Sequence, residues 1–204
     1  VTTDRYHEAF QRFAPALTEE QTRKAVSNLL DAHFNENFTP EVLKKLHGCV
    51  DLTSLTSLDT KESIWKMVDG VNDFEGSCPD VPNVAAICIY PLFVGTVKQA
   101  LTADRVKIAA VAGGFPASQT FMEVKMAEAM AIMEGADEID IVMNLGYLME
   151  ENFDELTEEI QEIKERCGEE VTLKVILETG ALVTPEQIRK AAILAIYSGA
   201  DFIK

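Results

Sequence analysis

Cysteine, histidine and basic residues are scarce in this sequence, and each scarcity removes a class of function. Four cysteines (Cys49, Cys78, Cys88 and Cys167) are scattered through 204 residues with no CxxC pair. Cys49 and Cys88 lie inside apolar runs, so reduced, buried thiols in a cytoplasmic protein are expected. The three histidines (His7, His33 and His47) show no metal-ligand spacing, and no HExxH occurs, so neither a structural nor a catalytic metal is expected. Lysine and arginine number 18 against 34 acidic residues, a formal charge of −16. Such a field repels phosphate backbones and anionic lipid, which argues against nucleic-acid and membrane partners. The apolar stretches are far shorter than the roughly 20 residues a membrane span needs. The same acidity sets a condition: a site for an anionic substrate must be locally basic.

What is present is a repeating pattern. Thr18-Glu19-Glu20-Gln21 reads as a capping box, and Thr39-Pro40-Glu41 places proline at a first helical position, so residues 1–47 read as an N-terminal helical extension. From residue 48 onward, short β-branched runs alternate with helical patterns. The runs are 49–55, 84–90, 107–112, 138–143, 173–178 and 201–204. Several are nearly continuous in apolar residues, the mark of parallel strands covered on both faces. Phe153, Leu156, Ile160, Ile163 and Cys167 share one helical face, with the glutamates of that region expected to form a solvated face. Glu134-Gly135-Ala136-Asp137 and Ser198-Gly199-Ala200-Asp201 are near-copies that lead from helix to strand. Six strand–helix units leave an open doubly wound sheet or a (β/α)8 barrel. A barrel needs eight strands and about 250 residues. On the barrel reading, the sequence stops at about the sixth strand and two further units belong to the natural protein.

Barrel chemistry resides at the carboxyl ends of strands, so polar residues that interrupt the runs are the candidates. These are Asp51, Thr53, Cys88, Asp140, Lys174, Glu178 and Lys204. A lysine inside a barrel must be paired or must lose its proton. Lys174 comes early in its run and Lys204 at the end, which puts Lys204 on the rim side and Lys174 deeper. Lowering a lysine pKa from about 10.4 by about 3 units corresponds to roughly 4 kcal/mol, and burial beside a second ammonium achieves this in Schiff-base lysines. Each lysine can also be read as a salt-bridged core residue. Asp140, between Ile139 and Ile141, is read as compensating one of the lysines and relaying protons. Asp137 and Glu138 are assigned to the turn before the strand. Cys88 reads as a pocket-lining or core thiol, and Asp51 and Thr53 either bind substrate hydroxyls or simply end a strand. Gly113-Gly114 is too short a signal to define a phosphate loop.

Six phrases in register carry a resemblance. They are Asp51-Leu52-Thr53, Ala86-Ile87-Cys88-Ile89-Tyr90-Pro91, Gly114-Phe115-Pro116, Gly135-Ala136-Asp137-Glu138-Ile139-Asp140, Leu173-Lys174-Val175-Ile176-Leu177-Glu178-Thr179-Gly180 and Gly199-Ala200-Asp201-Phe202-Ile203-Lys204. In order and spacing they resemble the deoxyribose-phosphate aldolase family. The resemblance implies a class I lyase that reversibly cleaves the phosphosugar 2-deoxy-D-ribose 5-phosphate to D-glyceraldehyde 3-phosphate and acetaldehyde, with no metal or other cofactor. It implies Lys204 as the Schiff-base lysine, Asp140 as the proton relay, Lys174 as its electrostatic partner, and Asp51, Thr53 and Cys88 as substrate-pocket positions. It further implies a homodimer, and, C-terminal to Lys204, a second lysine and glycine-rich phosphate loops. The competing readings are another metal-free phosphosugar lyase or isomerase on the same barrel, and a barrel that binds without catalysis.

Overall fold

The structure, a computed structural model, describes residues 3–115 and 118–204. Pro116, the last residue of the third phrase, lies outside them. Three helices come first: α1 (Thr3–Gln11), α2 (Glu19–Asn37) and α3 (Pro40–His47). The capping box at α2 forms as the sequence predicts, Thr18 accepting from the Gln21 amide and Gln21 from the Thr18 amide. Thr39 caps α3 with Pro40 at its first turn.

The rest of the chain alternates strand and helix. In order come β1 (Asp51–Thr53), α4 (Lys61–Phe74), β2 (Ala86–Ile89), α5 (Val94–Ala100), β3 (Lys107–Ala112), α6 (Met122–Ala129) and α7 (Ala131–Glu134). Then follow β4 (Glu138–Val142), α8 (Leu145–Met149), α9 (Phe153–Cys167), β5 (Thr172–Ile176), α10 (Pro185–Tyr197) and β6 (Phe202–Ile203). All six strand runs form strands. They pair in sequence order, every neighbour parallel.

That sheet is curled, and one contact is enough to show it. Strands lie about 4.8 Å apart, so in a flat sheet β1 and β5 would be roughly 19 Å from each other. Lys174 of β5 instead reaches Asp51 of β1 at 2.7 Å. A lysine and an aspartate together cannot bridge the flat distance, so the edges have rolled toward one another around an interior.

Successive strand residues point to opposite faces. On the outer face Ile87, Ile89, Ile139, Ile141, Leu173 and Val175 are fully buried against the helices, in one core with Val68, Val97, Leu156, Ile160 and Ala191. Burying each large aliphatic side chain contributes roughly 1.5–3 kcal/mol over leaving it exposed. The inner face carries a separate small cluster, Ala86, Cys88, Ala109 and Val111. Those short side chains leave room for long polar ones, and Asp51, Asp140, Lys174 and Lys204 belong to this face.

The two Gly-Ala-Asp repeats do the same job twice. Gly135 and Gly199 end their helices at φ +106° and +95°, a conformation glycine adopts without steric cost. Asp137 then accepts the amide of Ile108 in β3, and Asp201 the amide of Leu173 in β5. Each aspartate thus ties the start of its own strand to the preceding neighbour. Lys164 adds a 2.7 Å ion pair to Asp201.

Helix α1 docks onto this body. The Tyr6 hydroxyl lies 2.8 Å from both Asp154 and Thr157, and Phe10 meets Phe153 edge to face. Arg189 of α10 donates to the Ala14 and Phe13 carbonyls. Helix α2, by contrast, buries none of its residues.

Candidate active site

The inner-face parity gathers the candidates. Asp51 and Thr53 alternate on β1, Glu138 and Asp140 on β4, while Lys174 sits on β5 and Lys204 follows β6. Asp140 pairs with Lys174 across the ladder, and Lys174 with Phe202. Lys204 is therefore two residues further toward the carboxyl rim than Lys174, as the sequence predicts. Its backbone stays in register, the amide donating to Val175 and the carbonyl accepting from Leu177.

Two ammonium groups interleave with three carboxylates. Lys174 Nζ lies 2.7 Å from Asp51 Oδ2, 2.7 Å from Glu138 Oε2 and 3.2 Å from Asp140 Oδ1. Lys204 Nζ lies 2.8 Å from Asp140 Oδ2 and 3.3 Å from Asp51 Oδ2. Asp140 bridges the two lysines and its side chain is fully buried, whereas that of Lys204 is 38% exposed. A cavity of about 550 Å³ opens beside the cluster, lined by Asp51, Thr53, Glu138, Lys174 and Lys204 among others. The deep lysine is enclosed and the rim lysine faces open space.

Electrostatics separate the two further. Burial disfavours the charge on Lys174, but the hydrogen bonds it donates to Asp51 and Glu138 and the charge of Asp140 outweigh it and push its pKa well above the ordinary lysine value. The sequence-level expectation for a Schiff-base lysine was a depressed pKa. For Lys204 the net direction is upward: burial, the largest effect, and the Lys174 charge pull it down, but the Asp140 contact prevails. A carboxylate at hydrogen-bond distance outweighs an ammonium farther off. For Asp51, burial acts to raise the carboxyl pKa, yet Lys174 and then Lys204 reverse it and hold it below the usual range.

Cys88 packs fully buried on the inner face, its thiol 3.9 Å from Asp140 Oδ2. Burial first and then the Asp140 charge push it up to about 11, so it remains a thiol at neutral pH. Thr53 turns its hydroxyl to the Asp51 carbonyl at 3.0 Å while staying exposed. Glu178 lies just beyond β5 at φ +54°, and no contact joins it to the lysine cluster. Glu138 corrects the sequence reading: it opens β4 with its carboxylate on Lys174 instead of belonging to the turn. Its signal was available, because a residue two before Asp140 must share Asp140's face. Asp137, as read, belongs to the turn.

Among the described residues no group of three or more His, Cys, Asp or Glu side chains is arranged to hold a metal ion, and no helix is long and apolar enough to cross a membrane.

The chain is similar to human deoxyribose-phosphate aldolase (34% identity over 76% of this chain and 52% of that one) and to the bovine protein of the same name (33%, 79% and 54%). It spans about half the length of these curated relatives. Among solved structures it resembles QR15, an aldolase, at TM-score 0.67 and 32% identity, covering 77% of this chain and 66% of that one. The fold also matches the tetrameric deoxyribose phosphate aldolase of Aeropyrum pernix at TM-score 0.63 and 23% identity, covering 78% and 63%. A sequence model of the DeoC/LacD family aldolases matches residues 48–204, the stretch that carries all six strands and both inner-face lysines. By that match the chain belongs to the DeoC/LacD aldolase family.

Proposed function

We propose that this chain supplies the Schiff-base centre of a deoxyribose-phosphate aldolase, with Lys204 as nucleophile. The observation that carries the reading is the pairing of an accessible lysine with a buried carboxylate: Lys204 Nζ at 2.8 Å from Asp140 Oδ2, beside a cavity. Lys204 yields a proton and its nitrogen attacks the C1 aldehyde of open-chain 2-deoxy-D-ribose 5-phosphate. Loss of water gives a protonated imine. A base then removes the C3 hydroxyl proton, the C2–C3 bond breaks, and its electron pair moves through C1 to the iminium nitrogen. Glyceraldehyde 3-phosphate leaves, the enamine takes a proton at C2, and water releases acetaldehyde from Lys204.

Asp140 is the group placed to move these protons through a water. Its Oδ1, buried, makes no hydrogen bond among the described residues and has only the Lys174 ion pair at 3.2 Å. Lys174 pairs with Asp140 from below, Asp51 and Thr53 line the substrate pocket, and Cys88 backs Asp140 from the buried side. The upward pKa of Lys204 gives the second lysine implied C-terminal to it a defined task. A cation placed against Asp140 competes for that carboxylate and destabilises the Lys204 ammonium. The matching closure is a (β/α)8 barrel in which further strands and glycine-rich loops complete the phosphate pocket. The reading includes a cytoplasmic enzyme; a homodimer is its expected assembly, while the Aeropyrum pernix relative is described as a tetramer.

The test is acetaldehyde with sodium borohydride on the protein in its natural length, followed by peptide mass mapping. A two-carbon adduct on Lys204 and cleavage of deoxyribose 5-phosphate are expected. An adduct on Lys174 would move the nucleophile. Trapping at Lys204 without cleavage of that sugar would favour another lyase on the same scaffold, and no adduct would leave a binding protein.

A further inference from the structure

Behind the sheet lies a second buried ion pair that the proposed chemistry does not use. Lys125 of α6 has no solvent exposure, and no bulkier side chain among the described residues is as fully enclosed. Its ammonium lies 2.5 Å from Glu159 Oε1 of α9 and 3.2 Å from the carbonyl oxygen of Val142, the last residue of β4. Its aliphatic stem fills the space under Gly113, the first residue after β3. There φ is +62°, and an added Cβ would stand 2.8 Å from Lys125 Cδ. From the other side Glu128 accepts the Gly113 amide at 2.5 Å. Gln119 of the same loop lies close to Gly146, in the first turn of α8.

One side chain therefore touches the exits of two neighbouring strands. β4 is the strand of Asp140, two residues before Val142, and both exits lie on the carboxyl rim of the sheet, the side toward which Lys204 is displaced from Lys174. A charge in this position is costly without compensation, and packing alone would be served by a leucine or methionine. The hydrogen bond to the Val142 carbonyl is what an apolar side chain cannot supply.

We infer that Lys125 is a positioning residue for the aldol site, pinning Gly113 at the exit of β3 and Val142 at the end of β4 so that the rim and Asp140 keep their geometry. This rests on the aldolase reading above. It also accounts for Gly113-Gly114, which reads from sequence as a feeble phosphate loop: Gly113 makes room for the lysine stem.

The experiment compares the natural-length protein with K125M/E159L, in which both charges become apolar together, a replacement buried ion pairs commonly tolerate. Steady-state kinetics with deoxyribose 5-phosphate and borohydride trapping of acetaldehyde are measured side by side. The expected result is a kcat lowered about 100-fold, the scale of a roughly 1 Å misplacement. Trapping of two-carbon acetaldehyde on Lys204 stays within about threefold, because that step needs no rim contact. A folded double variant with unchanged kcat and KM would overturn the role and leave Lys125 as packing. Should the double variant not fold, K125M/E159Q, which also removes both buried charges and the bond to the Val142 carbonyl but keeps a polar side chain at position 159, takes the same assay, and unchanged kcat there is equally fatal. A parent protein that neither cleaves the sugar nor traps acetaldehyde at Lys204 sinks the aldolase reading itself, an outcome distinct from both.

Discussion

The two faces of one sheet have opposite chemistry built from the same strands. On β4, Ile139 and Ile141 point outward into helices while Glu138 and Asp140 point inward at lysines. The outer face is uniformly aliphatic and its side chains are interchangeable in kind. The inner face pairs small residues with five charges whose positions relative to one another matter to within an ångström. Among the strand side chains themselves, outward changes bear on stability and inward changes on chemistry. Alternation along a strand is what lets a single run of five residues serve both purposes.

Lys204→Met strikes the inner face at its most exposed charge. Sugar cleavage is expected to fall on the order of 10⁵-fold, the scale seen when a covalent nucleophile is removed. The thermal midpoint should barely move, since this side chain is the most exposed of the cluster. A residual rate within tenfold of the parent would mean that Lys204 is not the nucleophile.

Asp140→Asn comes next. Loss of a general acid–base group costs typically 10²–10⁴ in rate, and kcat is expected to drop by about that factor. Removing the carboxylate also removes the main upward pull on the Lys204 pKa. Acetaldehyde trapping should thus persist, with its rise with pH shifted to lower pH. Trapping that disappears along with turnover would assign Asp140 to imine formation instead of proton transfer to carbon.

Lys174→Met probes the inner face for stability, where the simple division between faces ought to fail. Three carboxylates, Asp51, Glu138 and Asp140, would lose a shared cation, and breaking buried pairs in this way typically costs about 3–5 kcal/mol. In the parent, Asp51 is held below the ordinary 3.8. Its contribution is full above that pH and is lost as pH falls through the lower folded value. Lys174 is held above the ordinary 10.5, so its contribution is full below that pH and is lost only as pH rises through the higher folded value. The parent cluster is thus intact across the neutral range. In K174M the carboxylates repel one another, and urea melts should show a deficit at pH 7 that shrinks on acidification toward pH 4. A deficit independent of pH would mean packing, not charge, is what Lys174 supplies.

Ile141→Ala returns to the outer face. A cavity at a fully buried position costs about 2–5 kcal/mol, read in the same melts, while kcat at 25 °C should stay within about threefold. A large kcat loss in a folded I141A protein would show that the two faces are mechanically coupled through β4.

The strands were legible because continuous apolar runs bounded by turn residues have few other solutions, and Lys107–Ala112 matches its run residue for residue. The lysines and Asp140 were legible as charges where burial forbids unpaired charge. Two carboxylates were misassigned for one shared reason, that local composition was weighed above periodicity. Glu138 follows a Gly-Ala-Asp turn and was grouped with it. Glu159 stands among many glutamates and was read as solvated, yet it is buried on Lys125. It lies three residues after Leu156 and four before Ile163, inside the apolar stripe of α9, so helical spacing alone marks it as inward-facing. The rolled sheet follows the barrel reading of the sequence, whereas the direction of the Lys204 pKa was beyond it, since that depends on distances between strands far apart in the chain.

The smallest expected effect compares two thiols, one on each face. Cys88 on the inner face and Cys167 at the end of α9 are both buried, and burial, the largest cause for each, pushes both from 9.0 up to about 11. At pH 8 both are therefore held as thiols and shielded from reagent, so both should react with iodoacetamide about a hundredfold more slowly than Cys49 and Cys78, which are exposed. The faces then separate on occupation of the site. Cys88 lies 3.9 Å from Asp140 Oδ2, which is itself 2.8 Å from Lys204 Nζ. Reductive trapping of acetaldehyde on Lys204 should change the labelling rate of Cys88 by about two- to fivefold, an order-of-magnitude expectation from altered access and field, and leave that of Cys167 unchanged. If both thiols respond together, the adduct is loosening the whole fold; if only Cys167 responds, the inner face is not where the aldehyde has bound.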